Sequence, residues 1–302
     1  MFRNENFLGS ILCIVSACLW GVAGTVGQFL FQKMYMSAKW LVSVRMLVAG
    51  IFLLCFACAK YGKKTFLIWT NKKDVRDLLL FSLLGMLLAQ YGYFVAIDCS
   101  NAATATVLQY LAPIMLIVYL AFWQKKMPTF MESLAVLFAL AGTFLLATHG
   151  NIKSLSISPQ ALFWGLISAA ALAFYSAFPK NLLQRYNTLI LIMWAMLLGG
   201  ICTTFLKPFW IVEGTVNTVS ILLVIFVVLF GAMIPYITFL YGVKLIGPTK
   251  SSLLASVEPI SSTVVSVFWL HTHLDFIDYV GFALIIATVF LLSVKPKKKT
   301  AS

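Results

Sequence analysis

Ten apolar stretches, each about 20 residues long, follow one another along the chain, and the short segments between them carry most of the charged side chains. A helix of about this length crosses the hydrocarbon core of a bilayer with all its backbone hydrogen bonds made internally. Because 62% of the 302 residues are hydrophobic and only 10% are charged, no room remains for a soluble catalytic domain. The sequence therefore predicts an all-α polytopic membrane protein with ten transmembrane helices. The predicted spans lie at about residues 7–31, 38–59, 76–97, 102–123, 129–148, 160–180, 188–208, 217–242, 249–270 and 276–294.

The basic residues are distributed unevenly between the two sides that ten spans create. Most of the 22 Lys and Arg residues fall in segments on the same side as both termini. Since cytoplasmic segments carry the excess of Lys and Arg, we expect a cell-membrane protein with both termini in the cytoplasm. The net charge of +13 is then an orientation signal that also contacts anionic lipid headgroups, and it does not indicate a nucleic-acid partner. The exceptions are Lys33, Lys39, Lys153 and Lys207 on the opposite side, and Arg45 within a span.

The chain matches itself at a shift of 146 residues. This register predicts two repeats of five spans each, one in residues 1–150 and one in residues 151–302. Five is an odd number, so the second repeat enters the membrane from the opposite side, which makes an inverted repeat. Such repeats place a binding site near the bilayer midplane, at their interface. The aligned pairs include Leu108 with Leu254, Pro113 with Pro259, Phe122-Trp123 with Phe268-Trp269, and Gln90 with Tyr236.

These features resemble the drug/metabolite transporter superfamily, in particular its EamA-type branch of ten-span proteins. The resemblance implies a carrier of small organic solutes, often an exporter. It also implies that spans 5 and 10 lie at the periphery of a central cavity, where a homodimer could form. The family often has Gly-Glu after spans 4 and 9, and this chain departs from it with Lys125-Lys126 and His271-Thr272. The matching motifs are Trp20-Gly21, Arg45 ahead of Ala49, Leu108 to Pro113, Leu254 to Pro259, and Glu258-Pro259.

Glu258 and Arg45 are the two ionisable residues well inside predicted spans. Glu258 lies about 13 Å along span 9, near the midplane, where a carboxyl group is costly and usually functional. It could hold a substrate ammonium or exchange a proton for substrate, and the alternative is a structural role, paired with Arg45. The guanidinium of Arg45 would suit a substrate carboxylate. We favour a structural role for it, reaching the outer surface or holding a loop.

Two prolines interrupt spans 4 and 9. Pro113 cannot donate to the carbonyl of Gln109, nor Pro259 to that of Ala255. A free carbonyl at membrane depth is tolerated where protein or a water-filled cavity satisfies it, so the pair predicts hinges beside a shared cavity. The alternative is two kinks that only pack. Residues with polar edges are the candidate lining, although single aromatic residues are more often packing or interface residues. The candidates are Trp20, Gln90, Tyr93, Gln109, Tyr110, Tyr175 and Tyr236.

The sequence does not indicate an enzyme, a cofactor or a metal site. It has no nucleotide-binding or hydrolase motif, and its six cysteines lie within apolar runs or at their ends. His271 and His273, followed by Asp275 and Asp278, read as an exposed loop. The predicted function is a secondary transporter of an amino acid, amine or related metabolite, coupled to protons or to exchange. The alternatives are a multidrug or quaternary-amine exporter and, from a different class, a membrane-embedded lipid-modifying enzyme.

Overall fold

The computed structural model describes residues 2–123, 129–149, 156–246, 251, 254–255 and 257–293. Across these residues the regular structure is entirely helical, with a 3-10 helix at Gly62–Thr70 and π-helical turns at Phe81–Leu87 and Leu229–Met233. The prediction of an all-α chain is confirmed. The α-helices are α1 (Phe2–Gln32), α2 (Ala38–Tyr61), α3 (Lys72–Leu80), α4 (Leu88–Asp98), α5 (Ala102–Gln109), α6 (Ala112–Trp123), α7 (Phe130–Thr148), α8 (Pro159–Ala177), α9 (Lys180–Arg185), α10 (Thr188–Leu206), α11 (Thr218–Val228), α12 (Ile234–Ile246), α13 (Val257–Leu270) and α14 (Phe276–Ser293).

Six helical stretches in the described part of the chain are long and apolar enough to cross a membrane, and α3 and α4 form one of them with the π turn between them. The four other predicted spans coincide with shorter apolar helices. The chain is therefore a multi-pass membrane protein, and the number of ten crossings stays a prediction. The predicted cytoplasmic residues Lys125, Lys126 and Lys297–Lys299 lie outside the described residues. The shorter helices are Ala102–Val118, Phe130–Leu146, Val257–Leu270 and Phe276–Thr288.

Helix ends follow from local sequence. The Asn71 side chain accepts hydrogen bonds from the first backbone N–H groups of α3, and Ser158 does the same for α8, which Pro159 opens. Thr129 and Glu132 form a reciprocal capping box at the start of α7. These caps satisfy donors that have no partner within the helix, so each helix begins at a defined residue.

The helix pairs form a pattern that is unchanged when the two halves of the chain are exchanged. Helix α1 packs against α12 and α13, and its counterpart α8 packs against α4 and against the α5–α6 pair. Helix α2 packs against α10, and α7 packs against α14. The α2–α10 contact is close because a Cβ at Gly50 would lie 2.7 Å from the backbone nitrogen of Leu197. Spans 5 and 10 therefore pair within one chain, and a homodimer through them stays a prediction that would use their outer faces.

The connections between helices gather at two opposite ends, here called face A and face B. At face A, the Thr215 N–H donates to the carbonyl oxygen of Met34 (2.7 Å), and the Ser158 hydroxyl donates to that of Cys99 (3.0 Å). At face B, Arg185 at the end of α9 pairs with Asp74 at the start of α3. Helix α1 thus ends at face A, whereas its counterpart α8 begins there.

Candidate functional site

A cavity of about 620 Å³ lies at the centre of the bundle, lined by residues of α1, α2, α4 to α6, α8 to α10, α12 and α13. This volume is in the range of small-molecule sites. Its wall is mostly aromatic and aliphatic, and it extends past the inner residues to Pro179, Leu183 and Thr188 near face B. That these residues bind a solute stays a prediction. The candidates that line the cavity are Trp20, Arg45, Gln90, Tyr93, Gln109, Tyr110, Pro113, Tyr175, Tyr236 and Glu258.

Glu258 contributes the carboxylate of the cavity. The Tyr110 hydroxyl lies 3.2 Å from Glu258 Oε2 and 2.6 Å from the carbonyl oxygen of Ala255. Arg45 lies within electrostatic range of Glu258. The close approach of α13 to α1 requires Gly21, because a Cβ there would lie 2.7 Å from the carbonyl oxygen of Glu258. The Trp20-Gly21 motif thus places an indole and the α13 backbone side by side at the cavity.

Arg45 faces the interior, and the prediction that it reaches the outer surface or holds a loop is wrong. It is 6% exposed, its Nη2 donates to the carbonyl oxygen of Gly231 (2.6 Å), and its guanidinium lies 4.9 Å from the centroid of the Phe94 ring. The physical reason is Pro235, which cannot donate to the carbonyl four residues earlier, so Gly231 accepts from a side chain instead. Its carbonyl and the Phe94 ring keep the cation inside the protein.

The two predicted prolines affect their helices in different ways. The helix breaks at Pro113, since α5 ends at Gln109 and α6 begins at Ala112. At Pro259, which is buried next to Glu258, the freed carbonyl of Ala255 accepts the hydrogen bond from Tyr110. A polar side chain of the cavity therefore satisfies the backbone beside the second proline.

Three buried polar atoms at the cavity have no hydrogen-bond partner in the described part of the protein: Trp20 Nε1, Arg45 Nε and Gln90 Oε1. Gln90 uses its amide nitrogen on the sulfur of Met86 (3.1 Å). More than nine in ten buried polar groups in proteins are paired, so two donors and one acceptor around one cavity are suited to a polar ligand. After Glu258, these three residues are the strongest candidates for polar contacts with a ligand.

Other predicted lining residues already have partners. The Tyr93 hydroxyl lies 2.8 Å from Thr106 Oγ1, and the Gln109 amide nitrogen donates to Ser168 Oγ (2.6 Å). Tyr175 and Tyr236 contribute ring surface: Tyr175 stacks on Phe81, and Tyr236 lies edge-on to Trp20 with 5.2 Å between centroids. The polar atoms of Tyr93 and Gln109 are therefore less available to a ligand, whereas the rings of Tyr175 and Tyr236 shape the wall.

Between the cavity and face A, a group of small polar side chains closes the space between α1, α5 and α13. We call Thr25, Gln28, Thr106, Ser262 and Ser266 the face-A seal. Thr25 Oγ1 lies 3.3 Å from Ser266 Oγ, the Ala102 N–H donates to Gln28 Oε1 (2.9 Å), and the Thr106 hydroxyl donates to Ser262 Oγ (3.5 Å). All five are at most 2% exposed. Sequence reasoning missed the seal, although the i, i+4 spacing of Ser262 and Ser266 was a signal for a polar stripe on α13.

At face B, a buried Asp74 joins the beginning of α3 to the segment after α9. Arg185 Nη1 contacts both Asp74 oxygens (2.9 and 3.2 Å), and the Tyr186 hydroxyl donates to Asp74 Oδ2 (2.8 Å). Burial and the hydrogen bond to Asp74 raise the pKa of Tyr186 above its usual value, so the hydroxyl keeps its proton at neutral pH. This bridge lies close to where the cavity approaches face B.

The prediction that Asp275 and Asp278 lie in an exposed loop holds for Asp275 and is wrong for Asp278, which is buried in the first turn of α14. His149, at the end of α7, contacts Asp278 (Nε2 to Oδ1, 2.8 Å) and Asp275 (Nδ1 to Oδ2, 3.4 Å). The three could hold a metal ion, since their ligand atoms lie within 4.8 Å of one another. His271 and His273 lie in the non-helical segment before α14. Sequence reasoning missed His149 because it is distant from both acids in the chain.

The helical bundle and its two opposed faces define a multi-pass membrane protein with a mostly apolar cavity of small-molecule size in its interior. The sequence pattern of the EamA-like transporter family matches the chain twice, over residues 7–148 and 159–294. The chain belongs to this family, as its resemblance predicted.

Curated relatives cover almost the whole chain. It is 39% identical over 294 residues to a protein of Salmonella typhimurium named "Uncharacterized inner membrane transporter YicL", covering 96% of this chain and 97% of that protein. It is 21% identical to "Uncharacterized transporter YrdR" of Bacillus subtilis, covering 99% and 95%. A solved crystal structure with 15% sequence identity superposes with a TM-score of 0.62 over 94% of this chain and 96% of that one, which shows the shared fold.

Proposed function

We propose that the protein is a secondary carrier that moves a small zwitterionic or amine-bearing organic solute across the cell membrane by alternating access. The main observation behind this proposal is the cavity at the centre of the bundle. Glu258 and Arg45 line it, and the face-A seal closes it on one side. A cavity that extends towards face B and is blocked towards face A is the arrangement of one end state of such a cycle.

Two inverted repeats, in residues 1–150 and 151–302, would supply the second end state. Three observations support this part of the proposal: the exchange-symmetric helix pairs, the opposite directions of α1 and α8, and π turns at positions that the 146-residue shift aligns. With both termini in the cytoplasm, face B is cytoplasmic and the described conformation is open inward.

The lining supports a solute with both charges and an apolar part. Glu258 would hold an ammonium group, whereas Arg45 Nε and Trp20 Nε1 would donate to a carboxylate. The rings of Tyr175 and Phe239 would contact an apolar or aromatic portion. A nearby Arg45 repels a purely cationic drug, so the zwitterion is favoured over a quaternary amine. Glu258 would also be the group that carries a coupled proton.

The test begins with a thermal-stability screen of the purified protein against amino acids, polyamines, nucleosides and quaternary amines, since selective binding raises apparent stability by mass action. Flux of each stabilising solute is then measured in proteoliposomes with wild type and Glu258→Gln. We expect flux to fall at least about tenfold and its pH dependence to disappear, because a charge-assisted contact is worth about 1.5–3 kcal/mol.

The matched control is Glu132→Gln, which removes a partly exposed carboxylate at the capping box of α7 and leaves an amide that can still cap. Its flux should equal that of wild type. Unchanged flux and pH dependence in Glu258→Gln would contradict the role of Glu258, and release of a chemically altered product would support a membrane-embedded enzyme instead.

A further inference from the structure

The Tyr110 hydroxyl has two acceptors and only one proton. It lies 2.6 Å from the carbonyl oxygen of Ala255 and 3.2 Å from Glu258 Oε2. A hydroxyl donates one hydrogen bond, so it can serve one of these acceptors at full strength. The two acceptors lie on one helix and have different roles, since one is the candidate binding group and the other belongs to the backbone beside Pro259.

The Ala255 carbonyl depends on this side chain because Pro259 has no N–H to donate. A carbonyl without a donor at membrane depth is costly, so losing the Tyr110 bond loosens the helix at that point. The Gly231 carbonyl has the same relation to Pro235, and it accepts from Arg45 Nη2 at 2.6 Å. Arg45 keeps Nε free for another acceptor, whereas Tyr110 has no second proton.

We propose, building on the function proposed above, that Tyr110 is a positioning residue that couples the state of Glu258 to the backbone hinge at Pro259. When Glu258 is charged and has no solute bound, the Tyr110 hydroxyl donates its hydrogen bond to the carboxylate. The Ala255 carbonyl then has no donor. When Glu258 is protonated or paired with a solute cation, Tyr110 donates fully to Ala255 and the hinge stiffens. The state of the binding group then sets the flexibility of the helix that carries it.

The hinge residue Pro259 precedes, on the same helix, two of the residues that form the face-A seal. Ser262 and Ser266 follow Pro259 on α13, and they contact Thr106 on α5 and Thr25 on α1. Bending at Pro259 therefore moves the part of α13 that closes face A. The coupling predicts that removing the Glu258 charge keeps the seal closed. It also predicts that, without the Tyr110 hydroxyl, a change at residue 258 no longer alters how often the seal opens.

The experiment is a double-mutant cycle that needs no solute. In a background without the six native cysteines, Thr25→Cys reports opening of the seal through its labelling rate with a membrane-impermeant maleimide added from outside. Glu258→Gln should slow labelling about fivefold, the equilibrium effect of about one hydrogen bond. Tyr110→Phe should speed labelling, and adding Glu258→Gln to Tyr110→Phe should change the rate less than about twofold.

The control is Tyr175→Phe, which removes the hydroxyl of another tyrosine of the cavity wall, one whose ring stacks on Phe81 and which makes no described hydrogen bond to Glu258 or to the face-A seal. In that background Glu258→Gln should keep its full effect. An equal effect of Glu258→Gln with and without the Tyr110 hydroxyl overturns the coupling and leaves the carrier proposal intact. If Thr25→Cys is never labelled in any of these proteins while the exposed Lys39→Cys is labelled, both the coupling and the carrier proposal are overturned.

Discussion

At the residue scale, Arg45 shows how one buried cation can hold several groups at once. Its guanidinium satisfies the Gly231 carbonyl, contacts the Phe94 ring and interacts with the Glu258 charge. We expect Arg45→Ala to lower the free energy of unfolding by about 3 kcal/mol, because it leaves a buried carbonyl and a buried carboxylate without their cation. Thermal unfolding in detergent measures the loss.

The control for this prediction is Arg76→Ala. Arg76 pairs with Asp77 at the surface and its side chain is 66% exposed, so its removal should change the unfolding midpoint little. Adding Glu258→Gln to Arg45→Ala should restore part of the loss, since the uncompensated charge is then absent. Equal destabilisation by Arg45→Ala and Arg76→Ala would contradict the buried role of Arg45.

Single residues differ in how far the sequence alone reveals them. An acid and two prolines inside apolar runs are anomalies, so Glu258, Pro113 and Pro259 could be selected without a structure. The direction of Arg45 could not, because its acceptor Gly231 lies 186 residues away in the chain. The face-A seal could not be predicted for the same reason. Its residues lie far apart in the chain, and only the packing of three helices brings them together.

At the scale of helices, the prolines set the balance between stability and movement. Pro259→Ala supplies a backbone N–H for the Ala255 carbonyl and removes the clash of the proline ring with the preceding turn. We expect a higher unfolding midpoint together with slower flux, since the repaired helix bends less readily. Differential scanning fluorimetry and proteoliposome flux measure the two effects.

Pro208→Ala is the matched control, because Pro208 lies outside the helices, after α10. It should leave both quantities close to wild type. Unchanged flux after Pro259→Ala would show that the proline acts only in packing, which is the alternative interpretation of the sequence. Hydropathy predicted the helices well, and the proline predicted the break at Pro113. Neither predicted the π turns, which depend on how neighbouring helices meet.

At the scale of the whole molecule, two kinds of interhelical contact coexist. The α2–α10 contact is close, with Gly50 against Leu197 and Gly200 against Leu47, and close-packed surfaces of this kind resist separation. The face-A seal is made of hydroxyl and amide groups, whose hydrogen bonds water can replace. Helices α1 and α13 are also held close together, at Gly21. A carrier that opens towards face A would therefore part α5 from α1 and α13 and pivot about α2 and α10.

Disulfide cross-links distinguish these two interfaces because each contains a pair of hydroxyl side chains in contact. In the cysteine-free background, Thr106→Cys with Ser262→Cys joins α5 to α13 in the seal, where the wild-type oxygens are 3.5 Å apart. Ser43→Cys with Thr204→Cys joins α2 to α10, where they are 3.2 Å apart. We expect oxidation of the first pair to abolish flux reversibly and oxidation of the second to reduce it less than about twofold, because only the seal must open. Equal inhibition by both pairs would mean that the molecule does not move about the α2–α10 contact.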